Sequence, residues 1–302
     1  MPLVPAPPHP RWTTDGVDWP HRARSSFLRA GGLDWHLQRM GEGPPLLLLH
    51  GTGASTHSMR ALLPLLATRF DVLAPDLPGH GFTATPPPHL LSLPDMARLV
   101  GALLDALGIS PAYAVGHSAG AAILLRAALD RRIAPTAIMS LNGALLPPPG
   151  VQAPLFPLAA RALAALPGLP ALMARAGTAP ARLDRLLDGT GSRLDAEGRA
   201  FYARLFRRPD HVAGALGMMA RWDLAALKRD LPRLRRPVTL VSAANDRMIP
   251  PAQANAVRAL LPAGATLVEL PGLGHLAHEE DPAAIAALVF AMADAHPVAA
   301  SA

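Results

Sequence analysis

The chain has 302 residues, half of them hydrophobic, with a formal net charge of +6 and no cysteine. That length allows one large α/β domain with an insertion, but not several large independent domains. The missing cysteines exclude disulfides, thiolate catalysis and cysteine-ligated metals, and they suit a reducing, cytoplasmic setting. Charge is unevenly spread: 15 basic and 7 acidic residues fall between Val151 and Arg236, against 13 and 15 elsewhere. We read this excess as solvated helix faces. No nucleic-acid motif accompanies it, so no nucleic-acid partner is expected.

Four of the first eight residues are proline, with no apolar run of the kind a signal peptide needs. Residues 1–24 are therefore expected to form a Pro-rich arm on the surface. Phe27 to Met40, broken at Gly31-Gly32, reads as a hairpin. Leu46 to Leu49 is a continuous aliphatic run, the pattern of a strand buried on both faces. Phe70–Ala74, Ala112–Val115, Thr136–Leu141, Val238–Ala243 and Ala265–Leu270 repeat it. Helical patterns fall between them near 57–68, 92–107, 119–130, 252–261 and 281–294. This alternation predicts a mostly parallel central sheet flanked by helices.

The alternation breaks at Pro147-Pro148-Pro149-Gly150, and strand-like runs resume only after Arg236. The expected organisation is an arm over 1–24, an α/β core over 25–146 and 237–302, and an inserted helical cap over 147–236. Pro154 to Ala174 is apolar, yet its four prolines and Arg161 argue against a membrane-spanning helix. A soluble protein, at most peripheral to a membrane, is the expectation.

Gly116-His117-Ser118-Ala119-Gly120 follows one predicted strand and opens a predicted helix. This is the G-x-S-x-G nucleophile elbow in its strand–turn–helix context. The tight turn needs glycines for close backbone approach, and the helix N-terminus favours developing negative charge. A serine hydroxyl needs a base, and a histidine base needs an acid to fix its tautomer. Asp246 and His275 each follow a later strand, in the chain order Ser, Asp, His that this elbow uses. His278 is a rival base, but His275 comes directly after the glycine-containing turn. The His50-Gly51-Thr52-Gly53 turn assigns the oxyanion donors to the Thr52 and Ala119 N–H groups.

His50, Gly51, His117 and Asn142 flank these turns and are candidate substrate contacts, as are Met218, Met219 and Trp222 of the cap. At helical spacing the cap residues read first as packing. Any that line the site beneath an arginine-rich cap would suit a large hydrophobic small molecule bearing carboxylates. Asp76 in Asp76-Leu77-Pro78-Gly79-His80-Gly81 reads as a structural turn residue satisfying backbone donors. No metal-ligand spacing is apparent among the 12 histidines, and no cofactor or metal is expected.

Several stretches resemble one branch of the α/β-hydrolase superfamily, the magnesium-chelatase accessory proteins of bacteriochlorophyll biosynthesis (the BchO type). They are Asp18-Trp19-Pro20, Gly31 to His36, His50 to His57, Asp76 to Phe82, Val115 to Ala122, Ser140 to Leu146, His211 to Met219 with Trp222-Asp223, and Gly272 to Glu280. The elbow and triad belong to the whole superfamily; the cap and N-terminal stretches discriminate more. The resemblance implies an α/β-hydrolase fold and an association with magnesium insertion into protoporphyrin, with chelatase subunits as partners. Chelation itself needs no serine nucleophile. Function therefore divides between a serine hydrolase acting on an ester or related acyl bond and a porphyrin- or chelatase-binding accessory that retains the triad. Relatives using an aspartate nucleophile are excluded by Ser118, whereas perhydrolases and carbon–carbon bond hydrolases share the triad.

Overall fold

The computed structural model describes residues 9–147, 166, 168–176, 180–262 and 265–298. Its strands are β1 (Ser25–Ala30), β2 (Leu33–Met40), β3 (Pro45–Leu49), β4 (Asp71–Pro75), β5 (Tyr113–His117), β6 (Ala137–Leu141), β7 (Val238–Ala243) and β8 (Thr266–Leu270). They form one sheet in the order β1-β2-β4-β3-β5-β6-β7-β8. β2 runs antiparallel to β1 and β4, and every pairing from β4 through to β8 is parallel. The predicted hairpin and all six later strands are therefore present, each within two residues of its predicted bounds.

Helices cover both faces of the sheet, and β3 shows why its sequence is uniformly aliphatic. Successive side chains of a strand point to opposite faces. Leu47 and Leu49 enter one core with α2 (Leu93–Leu107) and α3 (Ala119–Leu129). Leu46 and Leu48 enter the other with α1 (Leu62–Leu66) and residues 282–295. Helix α2 buries Met96, Val100, Leu103 and Leu104, starts at Ser92, whose hydroxyl accepts the Asp95 N–H, and stops at Gly108 with φ +64°.

The helix predicted over 57–68 is shorter than its periodicity suggests. A 3-10 turn spans Thr56–Met59 and α1 only Leu62–Leu66. Pro64 has no N–H for the carbonyl of Arg60 four residues back, and the His21 ring donates Nε2–H to that oxygen at 2.6 Å instead.

Between β6 and β7 the described residues hold only helices: α4 (Leu169–Ala176), α5 (Pro180–Asp188), α6 (Ala196–Phe206), α7 (Pro209–Ala220), α8 (Ala225–Asp230) and a 3-10 turn. The Pro147–Gly150 break lies mostly outside the described residues, as does much of the apolar stretch from Pro154 to Ala174. Among the described residues, no helix is long and apolar enough to cross a membrane. The chain closes with α9 (Ala252–Leu260), α10 (Ala277–Glu280) and α11 (Pro282–Ala295).

The N-terminal segment differs from the expected surface arm. Trp19 is 2% exposed, donates its indole N–H to Thr56 Oγ1 at 3.0 Å, and packs edge-on against Phe82 and Phe201. Arg204 of α6 bridges to Asp18, and Arg208 to Asp15. Residues 9–24 thus tie the inserted helices to the sheet, because burying an indole outweighs the disorder natural to a Pro-rich end.

Candidate active site

Parallel strands place their following loops at one edge of the sheet, where α/β proteins build their sites. His50 to Thr52 follow β3, Ser118 follows β5, Asn142 follows β6, Asp246 follows β7 and His275 follows β8. Ser118 has φ +51° and ψ −115°, a conformation L-residues avoid at a cost of about 1–3 kcal/mol. Two glycines permit it. A Cβ on Gly116 would come within 2.6 Å of the Ala121 nitrogen, and one on Gly120 within 2.6 Å of the Leu49 and His50 carbonyls. The turn is held by Ser118 N–H to Leu141 O at 2.9 Å.

Asp246 is the most heavily bonded carboxylate of the site. Oδ1 accepts the N–H groups of Met248 and Ile249, both at 2.8 Å. Oδ2 accepts Asn142 Nδ2–H at 2.7 Å and His275 Nδ1–H at 2.8 Å. The Asp246 side chain is fully buried and that of His275 nearly so. A proton held on Nδ1 leaves Nε2 of His275 as the basic nitrogen. No hydrogen bond joins Ser118 Oγ to His275 in this structure. In unliganded sites such bonds are often long and tighten with substrate.

His117, adjacent to Ser118, donates Nε2–H to the His275 carbonyl at 2.8 Å. Its ring lies 4.7 Å from that of His275 and 4.4 Å from that of His278. Burial first, then the neighbouring imidazoles of His278 and His275, holds His117 well below the usual histidine range. Burial likewise lowers His278 to about 3, helped by His275 and Arg60. Both rings therefore stay neutral beside His275. Asp246 meets His275 and not His278, whose ring nitrogens have no partner.

The Thr52 turn lies against the elbow: a Cβ on Gly51 would come within 3.0 Å of Ser118 Cβ and 2.8 Å of His117 Nδ1. Among the described residues, neither the Thr52 nor the Ala119 N–H has an acceptor, so both remain available donors. Of the other predicted contacts, His50 has both ring nitrogens engaged, with Gly51 O and the Leu77 N–H. Asn142 sits on Asp246. Met218 is fully buried and its sulfur accepts the Thr52 hydroxyl at 3.5 Å. Met219 packs with Ala174, Val212 and Leu216, and Trp222 packs against the larger core with its buried Nε1 unpartnered.

Asp76 is fully buried, taking N–H groups of Thr56 and Phe82 and the His36 ring. Burial alone would raise its carboxyl, but the charge and hydrogen bond of His36 hold it far below the ordinary range. Among the described residues no three His, Asp or Glu side chains cluster in a way that could hold a metal ion.

Some positioning contacts escaped the sequence reading. The Thr190 carbonyl accepts the N–H groups of both His275 and Arg247 at 3.2 Å. Ser192 Oγ accepts the Leu276 N–H, and Glu280 Oε1 accepts the Gly274 N–H, both at 2.8 Å. A loop of the insertion thus grips the His275 turn. The bond from Leu276 to Ser192 joins residues 84 positions apart and leaves no local signal.

The family model described as alpha/beta hydrolase fold matches residues 44–282. The chain belongs to that family. It is 43% identical over 265 residues to the magnesium-chelatase 30 kDa subunit of Rhodobacter capsulatus, covering 87% of this chain and 92% of that one. It is 29% identical to the pimeloyl-[acyl-carrier protein] methyl ester esterase of Methylococcus capsulatus, over 71% and 81% of the two chains. A solved α/β-hydrolase-fold protein from Burkholderia ambifaria superposes with a TM-score of 0.75 at 28% identity, covering 88% of this chain and 97% of that one. Membership in the α/β-hydrolase family accounts for the strand order and for the elbow at Ser118.

Proposed function

We propose that this α/β-hydrolase is a serine hydrolase of an ester or related acyl bond, working alongside magnesium-porphyrin synthesis. The observation that carries the reading is the buried Asp246–His275 pair at 2.8 Å, joined through His117 to a serine on a strained turn. Ser118 Oγ attacks the acyl carbon as His275 Nε2 takes its proton. The Thr52 and Ala119 N–H groups receive the oxyanion, and Asp246 stabilises the imidazolium. His275 then gives the proton to the leaving alkoxide. In the second half it activates water, which releases the acid and regenerates Ser118. We read the insertion as a cap over this site, with Met218 and Thr52 where the two meet.

The 43% relative named as a chelatase subunit supports a second reading, a chelatase- or porphyrin-binding accessory. Turnover of p-nitrophenyl acyl esters by wild type and Ser118→Ala separates the two. The hydrolase reading expects turnover by wild type and its loss in the variant, with the melting temperature kept. Equal turnover by both proteins overturns it. Inactive wild type together with binding of chelatase subunits favours the accessory.

A further inference from the structure

Helix α7 of the insertion meets the core along one stripe, with buried His211, Gly214 and Met218 at the i, i+3, i+7 positions of a single face. Gly214 brings backbone onto backbone, because a Cβ there would overlap the Gly79 carbonyl oxygen. Met218 takes the Thr52 hydroxyl on its sulfur. His211, only 1% exposed, spans two core loops. The Gly81 N–H donates to its Nδ1 and its Nε2–H donates to the Gly53 carbonyl, both at 3.1 Å. A backbone N–H can only donate, so Nδ1 is the unprotonated nitrogen and the ring proton sits on Nε2, facing Gly53. Burial keeps this ring neutral, lowering it to about 4.

The Gly53 carbonyl belongs to the turn that presents the Thr52 N–H. The Ala54 N–H returns to the Gly51 carbonyl at 3.2 Å and closes that turn. Thr52 and Gly53 occupy its central positions, and Gly53 is left-handed at φ +78°. From the core, His50 Nδ1–H holds the Gly51 carbonyl at 2.8 Å, on the same peptide plane as the Thr52 N–H. The far half of the turn passes through a glycine, whose backbone has little stiffness of its own. There His211 supplies the restraint, reaching in from the insertion.

We propose that His211 is a positioning residue: through the Gly53 carbonyl it fixes the turn that aims the Thr52 N–H at the oxyanion. The aim of the donor then depends on α7 being seated on the core, which makes the insertion part of the catalytic frame. The proposal rests on the serine-hydrolase reading of the site.

The test compares wild type with His211→Asn, His211→Gln and Val212→Ala. Asparagine can still accept the Gly81 N–H but stops short of Gly53, whereas the longer glutamine places an amide N–H where Nε2–H was. Val212→Ala is a packing control on the same helix, meeting Ala174 and Leu216. Two readouts are taken: p-nitrophenyl ester kinetics, and backbone amide exchange over residues 50–54 by mass spectrometry. In His211→Asn, kcat should fall about 10- to 100-fold with KM within about threefold, and exchange over 50–54 should quicken. His211→Gln should recover most of the rate, and Val212→Ala should keep wild-type kinetics even where it melts as early as His211→Asn. Unchanged exchange in His211→Asn overturns the brace, whatever the activity. A change in KM alone, equal rates in the two His211 variants, or a matching loss of kcat in Val212→Ala overturns the positioning role. Wild type that neither turns over esters nor takes up a fluorophosphonate sinks the hydrolase reading instead, and the exchange result then decides the brace by itself.

Discussion

Asn142 offers a direct probe of how the Asp246–His275 pair is held. Its Nδ2–H reaches the same Asp246 oxygen that holds His275, at 2.7 Å, and its backbone is left-handed at φ +47°. Two effects are therefore mixed at one position, and two substitutions separate them. Asn142→Gly removes the hydrogen bond while tolerating the left-handed backbone. Asn142→Ala removes it and keeps a Cβ at positive φ without the amide that makes asparagine tolerant of that conformation, about 1 kcal/mol worse than glycine. A hydrogen bond to a charged group contributes about 1.5–3 kcal/mol. With an unfolding entropy of about 2.1 cal/mol/K per residue, the glycine variant should melt roughly 2–5 °C below wild type and the alanine variant a further 1–2 °C lower. If the lost energy is expressed wholly in the transition state, fluorophosphonate acylation slows about 10- to 150-fold in both. The assays are thermal melts and a labelling time course by intact mass. A glycine variant that melts and labels like wild type would refute the assignment of Asn142 as a positioning residue.

Ser118→Gly should melt above Ser118→Ala by about 1 kcal/mol, since only glycine relieves the positive φ of the elbow; identical melting curves would contradict stored strain there. Acid should destabilise the fold. His211 and His278 are lowered by burial to about 4 and about 3, so each stays neutral while the unfolded chain takes up protons below about pH 6.5. Their stabilisation is present above that pH and is lost at about 1.4 kcal/mol per pH unit each as pH falls toward those values. Buried His50, His57, His80 and His117 act in the same direction. Glu279, pushed up to about 7 by burial against the pull of Arg60, acts oppositely, but alone. Melting temperature measured from pH 7.5 to 5 should fall below pH 6; a flat profile contradicts the neutral histidines.

The sheet was largely legible because β3 to β7 are buried on both faces and their sequences are predominantly apolar. The placement of Ser118, Asp246 and His275 at one edge of the sheet was legible because each follows a strand. Four features were not. Trp19 read as part of a surface arm, since its partners Thr56, Phe82 and Phe201 come from three separate segments. Asn142 read as a substrate contact, because a residue after a strand can turn toward ligand or toward a neighbouring loop, and only packing decides. His50 read likewise, yet its ring clamps Gly51 and Leu77. The grip of Thr190 and Ser192 on the His275 turn comes from a segment more than eighty residues away, and Thr190 acts through its backbone carbonyl, so neither leaves a local pattern.

Whether Ser118 is an activated nucleophile is tested most directly by exposing wild type, Ser118→Ala and His275→Ala to a fluorophosphonate at neutral pH and weighing the intact chains. The account predicts one adduct on wild type, none on Ser118→Ala and far slower labelling of His275→Ala. No adduct on wild type, or equal labelling of all three, would contradict it.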